Sequence, residues 1–170
     1  MLRQRPIFIA LVTFCFALSG MTDMGQAQTN LAFGTIQQDT SLPVEVTADS
    51  LSVNQTDGTA IFTGSVVIIQ GEMRLAAPRV LVVYAQATDA REARIARLEA
   101  TGGVTLVSGP DAAEAERADY NVDDGEVVML GNVLLTQGAS ALTSDRMTVD
   151  LENGTAQMDG QVRTILRGAD

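Results

Sequence analysis

The chain of 170 residues is 46% hydrophobic, 4% aromatic and 19% charged, which fits one globular domain and excludes a wholly disordered chain. Its eleven basic residues, all Arg, stand against 21 acidic ones for a net charge of −10, so a nucleic-acid binder, which must neutralise phosphates with a basic surface, does not fit. With no His and one Cys, the ligand clusters of zinc sites and the His-based triads are missing; no metal or other cofactor is expected, and most familiar enzyme chemistry is excluded.

The first 27 residues read as a targeting segment. Arg3 and Arg5 form a basic start, Ile7 to Leu18 an apolar core, and Gly25-Gln26-Ala27 a small-x-small site with cleavage expected after about Ala27. The competing reading is a retained membrane anchor, but a span needs about 20 apolar residues and Thr13 interrupts this shorter run. Cys15 leaves with the signal, so the exported chain must be stable through its core without disulfides. Removing Arg3, Arg5 and Asp23 makes the charge −11. Residues 28–42 are rich in Thr, Gln, Ser and Gly and read as a flexible lead-in, with the folded domain over 43–168.

That domain is an internal repeat. With Asp49, Glu116 and Asp145 aligned, Gly58, Gly125 and Gly154 follow nine residues later, Gly64, Gly131 and Gly160 fifteen later, and Val66, Val133 and Val162 two beyond those. A further copy begins at Pro78 and reaches Gly102 and Val104 with nine extra residues, supplied by the charged stretch Ala85 to Arg94. Each copy reads as strand, turn, strand. Asp57-Gly58, Asp124-Gly125 and Asn153-Gly154 accept positive φ and mark hairpin tips, while the second glycine of each copy falls inside a strand and predicts a recurring bend.

Apolar residues alternate with period two around these tips. They are Leu51, Val53, Ala60, Phe62, Val66 and Ile68 in the first copy, and Val80, Val82, Leu98, Val104 and Leu106 in the second. Val127, Met129, Val133 and Leu135 follow in the third, and Met147, Val149, Ala156, Met158 and Val162 in the fourth. No single copy can bury this face, so about four tandem units must wrap around one interior, giving an all-β fold. Periodicity alone leaves open whether that interior is a solid core or a binding cavity.

The arginines Arg79, Arg117 and Arg146 recur on the opposite face and predict an outer ladder paired with nearby acids. Asp49, Glu116 and Asp145 share the apolar parity and are expected at strand starts, in a rim or turn role. A carboxylate pair for glycoside hydrolysis is the sharper alternative, which their threefold repetition argues against. The insertion from Ala85 to Arg94 reads as a surface loop, with a short helix possible. Asn54-Gln55-Thr56 and Asn153-Gly154-Thr155 match a glycosylation pattern but suit turns better.

Three segments carry a resemblance: Pro43-Val44-Glu45-Val46-Thr47-Ala48-Asp49-Ser50-Leu51, Phe62-Thr63-Gly64-Ser65-Val66 and Gly131-Asn132-Val133-Leu134-Leu135-Thr136-Gln137-Gly138. Together with the export signal they resemble the LptA/OstA family of periplasmic lipopolysaccharide-transport proteins of Gram-negative bacteria, over about Pro43 to Arg167. The resemblance implies an open, twisted β-jellyroll (OstA-like) in the periplasm whose apolar groove holds lipid A acyl chains. It also implies head-to-tail self-association and a bridge between an inner-membrane LptC-like protein and an outer-membrane LptD-like protein, with no catalysis. The alternating residues named above become the proposed lipid-binding lining. Acidity does not oppose this: burying a twelve-carbon chain gains on the order of 10 kcal/mol at about 0.8 kcal/mol per CH₂, against about 0–1 kcal/mol for each exposed charge pair. Two alternatives stay open: a solid-cored β-solenoid scaffold, and a membrane-anchored sibling in the same transport system. Strand edges near Leu42 to Thr47 and Gln161 to Leu166 are the expected joining surfaces.

Overall fold

The computed structural model describes residues 39–85 and 94–165, and the backbone of 30–32. The expected signal segment and the centre of the charged insertion lie outside the described residues. The strands are β1 (Asn30–Ala32), β2 (Glu45–Thr47), β3 (Ser50–Asn54), β4 (Thr59–Gln70), β5 (Met73–Ala85), β6 (Arg94–Ser108), β7 (Asp111–Asn121), β8 (Glu126–Gln137), β9 (Ser140–Asp150), β10 (Thr155–Asp159) and β11 (Arg163–Ile165). They form one open antiparallel sheet in which β4 to β10 lie side by side in chain order. β2 and β3 both pair with β4, β10 and β11 both pair with β9, and β1 lies outside β10. The four expected units are therefore four hairpins, the first and last having one strand broken in two.

Each of the three described hairpin tips is closed by its own side chain. Asn54 Oδ1 accepts from the Thr56 and Asp57 amides (3.0 and 3.3 Å), Asn121 Oδ1 from Asp123 (3.2 Å) and Asp150 Oδ1 from Asn153 (2.9 Å). An amide or carboxylate five residues after Asp49, Glu116 and Asp145 thus mimics a backbone turn. The hydrogen bonds from the Asn153 side chain and backbone hold the Asp150 carboxyl below its ordinary range.

Halfway along, every long strand bends. The ladder slips by one residue between Thr63 and Val66, Ala76 and Arg79, Thr101 and Val104, Glu114 and Arg117, and Leu130 and Val133. The backbone turns left-handed at Gly64-Ser65, Gly102-Gly103, Gly131-Asn132 and Gly160-Gln161. Gly131 shows why glycine stands here: at φ +83° an added Cβ would lie 2.6 Å from Glu116 Oε2 and 3.0 Å from Glu116 Cβ. Glu116 also accepts the Asn132 side-chain amide at 2.6 Å. Asp49 lies over Gly64, Asp145 over Gly160 and the Pro78 ring over Gly102 in the same way. The acids expected at strand starts on the apolar face are instead exposed and stand at these bends, where the interruption of the ladder turns them outward.

The bend also sets which residues face inward. β5 buries Met73, Leu75 and Ala77 before the bend and Val80 and Val82 after it, skipping the exposed pair Pro78-Arg79. β7 and β9 do the same around Glu116-Arg117 and Asp145-Arg146. One apolar surface is buried along the whole length of strands that have no other layer over them among the described residues. The sheet must therefore fold upon itself at the bends, tip halves facing turn halves, as a jellyroll.

Arg79, Arg117 and Arg146 are exposed and form the expected outer ladder, interleaved with Thr63, Thr101, Leu130 and Asp159 across the sheet. Its expected pairing with acids is not seen: among the described residues the ion pairs are Arg94–Asp123 and Arg97–Glu99, neither in the ladder. Within the stretch expected as a lead-in, Asn30–Ala32 pairs with β10, and Thr40 and Leu42 are hydrogen-bonded to the sheet. Backbone groups that satisfy one another in a ladder order the chain despite its polar composition.

Gly131→Ala should lower stability by at least about 1–3 kcal/mol from the left-handed φ alone. Urea unfolding should show the loss partly relieved when Glu116→Ala is combined with it, because the clash and the φ strain are separate contributions.

Candidate functional site

The candidate site is the enclosed interior and the seam where the two half-sheets meet. Of the proposed lining, Ala60, Val66, Ile68, Val80, Val82, Leu98, Val104, Leu106, Val127, Met129, Val133, Leu135, Met147, Val149, Ala156 and Met158 are all buried in one cluster, none more than 3% exposed. Phe62 is half-buried against it.

Leu51, Val53 and Val162 do not belong to a buried lining. They are 54%, 59% and 48% exposed. Leu51 pairs with Phe62 and Val53 with Ala60, so their side chains share the inner face of β4, but β3 lies at the edge of the sheet and no other strand among the described residues covers it. Val162 stands between β10 and β11 at the opposite end, beside Ile165, 60% exposed on β11. Alternation predicts the face of a residue; cover depends on whether a further strand follows.

The interior also holds residues that the alternation did not single out: Met73, Leu75, Ala77, Ala113, Ala115, Tyr120, Leu142 and Leu151. Most lie in the turn halves of β5, β7 and β9, where the inward parity is reversed. The paired exposed residues after Ala77, Ala115 and Ser144 are the signal that could have revealed this. Ala113 and Ala115 sit in an Ala- and Glu-rich stretch whose hydrophobic contrast is weak.

Four polar side chains are buried as well: Gln70, Ser108, Asp111 and Ser144. Gln137 donates to Asp111 Oδ2 at 2.9 Å, and Ser144 Oγ to the Arg146 carbonyl at 2.8 Å. Gln70 does something different. It ends β4 in the turn half, and its Oε1 accepts the hydroxyl of Tyr120 at the tip end of β7. This bond spans the seam between the two half-sheets. The Gln70 side-chain amide donates to the carbonyls of Thr40 at 2.8 Å and Leu42 at 2.9 Å. Thr40 Oγ1 in turn reaches Glu152 at the fourth hairpin tip, 3.1 Å away. The segment Asp39–Val44 is thus laced across the seam.

Beside it lies an open cleft of about 410 Å³ lined by Leu42, Val44, Gln70, Ile95 and Val122 with Arg94 at its rim. Burial pushes the Tyr120 hydroxyl up to about 12, with the nearby Glu152 charge acting in the same direction.

Residues 45–155 match the family described as LptA/(LptD N-terminal domain) LPS transport protein. The chain belongs to that family. It is 27% identical over 165 residues to an uncharacterised protein of Rhizobium meliloti (strain 1021), covering 91% of this chain and 89% of the relative. Its fold is similar to the crystal structure of LptH, the LptA-homologous periplasmic component of the lipopolysaccharide transport device of Pseudomonas aeruginosa. The TM-score is 0.66 at 17% identity, with 77% of this chain and 99% of that one covered. Family and fold are those of a transport protein, and the jellyroll expected from the sequence is the one observed.

Tyr120→Phe should cost about 1 kcal/mol near neutral pH by removing the bridge to Gln70. Because the folded value lies above the ordinary 10, the wild-type hydroxyl contributes fully below pH 10 and its contribution fades as pH climbs towards 12. Thermal unfolding across that window should therefore show the gap between wild type and variant narrowing.

Proposed function

We propose that the protein is a periplasmic carrier that passes lipopolysaccharide from an inner-membrane LptC-like component to an outer-membrane LptD-like component, binding acyl chains and catalysing nothing. The observation that carries this reading is a continuous apolar interior in a member of a lipopolysaccharide-transport family, lined by residues from all four hairpins. Hydrocarbon is the ligand chemistry such an interior favours, at about 0.8 kcal/mol for each buried CH₂. The flexible thioethers of Met129, Met147 and Met158 and the small Ala60 and Ala156 suit irregular chains. Export and cleavage after about Ala27 belong to the same proposal, since they would place the chain where this cargo travels.

The two sheet ends support end-to-end assembly. At one, β2 and β3 leave a backbone edge flanked by exposed Leu51 and Val53; at the other, β11 leaves one flanked by exposed Val162 and Ile165. Edges of opposite position with matching apolar side chains form heterologous, head-to-tail contacts. Arg163 and the shortness of β2 and β11 restrain runaway pairing.

One observation favours the scaffold reading: the interior side chains are almost wholly shielded from solvent. Native mass spectrometry of protein recovered from the periplasm separates the two. Retained lipid A and an N-terminus at Gln28 are the expected result; lipid-free protein that also fails to take up added lipid A would establish a scaffold instead. Sedimentation should show concentration-dependent oligomers, and Val53→Asp together with Ile165→Asp should shift them towards monomer while leaving the unfolding free energy of the monomer within about 0.5 kcal/mol of wild type, as usual for exposed sites.

A further inference from the structure

Gln70 is 97% shielded from solvent, yet its two N–H groups are used on the N-terminal segment rather than on the sheet that buries it. The segment offers nothing but backbone there: the carbonyls of Thr40 and Leu42, two residues apart. Its shape is fixed locally, since Asp39 accepts from the amide and hydroxyl of Ser41 and its own carbonyl accepts from the Leu42 amide. Those bonds hold the Asp39 carboxyl below its ordinary range. Around the two carbonyls lie Leu42 and Val44 on the segment and Ile95 and Val122 on the facing half-sheet. The segment therefore presents polar C=O groups at the boundary between an apolar interior and water.

An acylated glycolipid has the same arrangement. Its ester and amide carbonyls stand where hydrocarbon ends and the polar head begins. A donor able to hold two backbone carbonyls can hold two acyl carbonyls, since the acceptor chemistry is the same.

We infer that Gln70, oriented by Tyr120, is a carbonyl-reading site at the seam of the jellyroll, and that Thr40–Leu42 occupies it as an internal stand-in for the acyl linkage of a lipid. The inference rests on the proposed function and adds to it an entry point and a selectivity. The segment crosses the seam on Gln70 and lifts away as hydrocarbon enters, and the buried Gln70 amide exchanges one pair of carbonyls for another without ever being left unsatisfied. Such an exchange avoids the penalty of leaving a buried donor orphaned. Tyr120 holds the other end of the amide, so the donors stay aimed at the seam in both states.

Two measurements test this. In a Cys15→Ser background, Thr40→Cys and Glu152→Cys are joined by a short bismaleimide carrying a reducible bond, tying the segment to the fourth tip. Lipid A binding should fall at least tenfold on cross-linking and return on reduction. Equal binding in both states would overturn the inference while leaving the proposed function standing, and no binding in either state would overturn both.

The second measurement compares two twelve-carbon disaccharide amphiphiles below their micellar range: sucrose monolaurate, with an ester carbonyl, and dodecyl maltoside, without one. Gln70→Leu loosens the segment equally for both probes, so the ratio of affinities isolates the carbonyl. Wild type should prefer the ester severalfold and the variant should lose that preference. A preference that survives in the variant, or that is absent from wild type, would overturn the inference.

Discussion

The bare glycine beneath an acidic or proline side chain at mid-strand is the constraint on which this fold depends. Without the bend, the strands would make one long twisted sheet with an apolar face open to water, an aggregation hazard rather than a domain. With it, each strand supplies two half-strands whose inner faces cover each other. The close approach of Asp49 to Gly64, Glu116 to Gly131 and Asp145 to Gly160 leaves no room for a Cβ, and the left-handed φ makes any L-residue there strained. Four bends lie at one level of the ladder because the units repeat, and the interior is continuous from the first hairpin to the fourth.

Much of this was legible in the residues. Period-two alternation in Val127, Met129, Val133 and Leu135 placed β8 correctly because its inward parity is unbroken across Gly131. The dipeptides Asp57-Gly58, Asp124-Gly125 and Asn153-Gly154 marked real turns. What alternation could not carry was the half of β5, β7 and β9 beyond the bend, where two consecutive outward residues reverse the count. Nor could it show that β3 would be terminal and leave Leu51 and Val53 uncovered, since cover is a property of the neighbours rather than of the strand. The bonds of Thr40 and Leu42 were illegible for a related reason: they run to Gln70, some thirty residues away, just as Asn30–Ala32 pairs with β10 at the far end of the sheet.

The buried polar groups separate stability from function. Asp111 bonds Gln137 on the neighbouring strand and Ser144 bonds the Arg146 carbonyl within its own strand, so both stay within the sheet. Gln70 and Tyr120 join β4 to β7, three positions apart in sheet order, and reach the N-terminal segment as well. A bond between adjacent strands contributes to one hairpin. One that spans the seam instead ties the two half-sheets to each other.

The balance of forces points to the seam as the compliant place. Parting the two half-sheets would expose some two dozen core side chains at about 25 cal/mol for each Å² of apolar surface, a loss that approaches global unfolding. The N-terminal segment is held at the seam by a handful of hydrogen bonds, each contributing about 0.5–1.5 kcal/mol net. Local opening energies in proteins range from near zero to the global value, and elements with few buried apolar contacts lie at the low end. A twelve-carbon chain offers on the order of 10 kcal/mol of gross burial, enough to offset release of the segment and local widening but not separation of the whole core. On the proposed function, entry along the seam would therefore proceed with the bends intact, the glycines at the bends acting as the spine about which the tips and turns move apart.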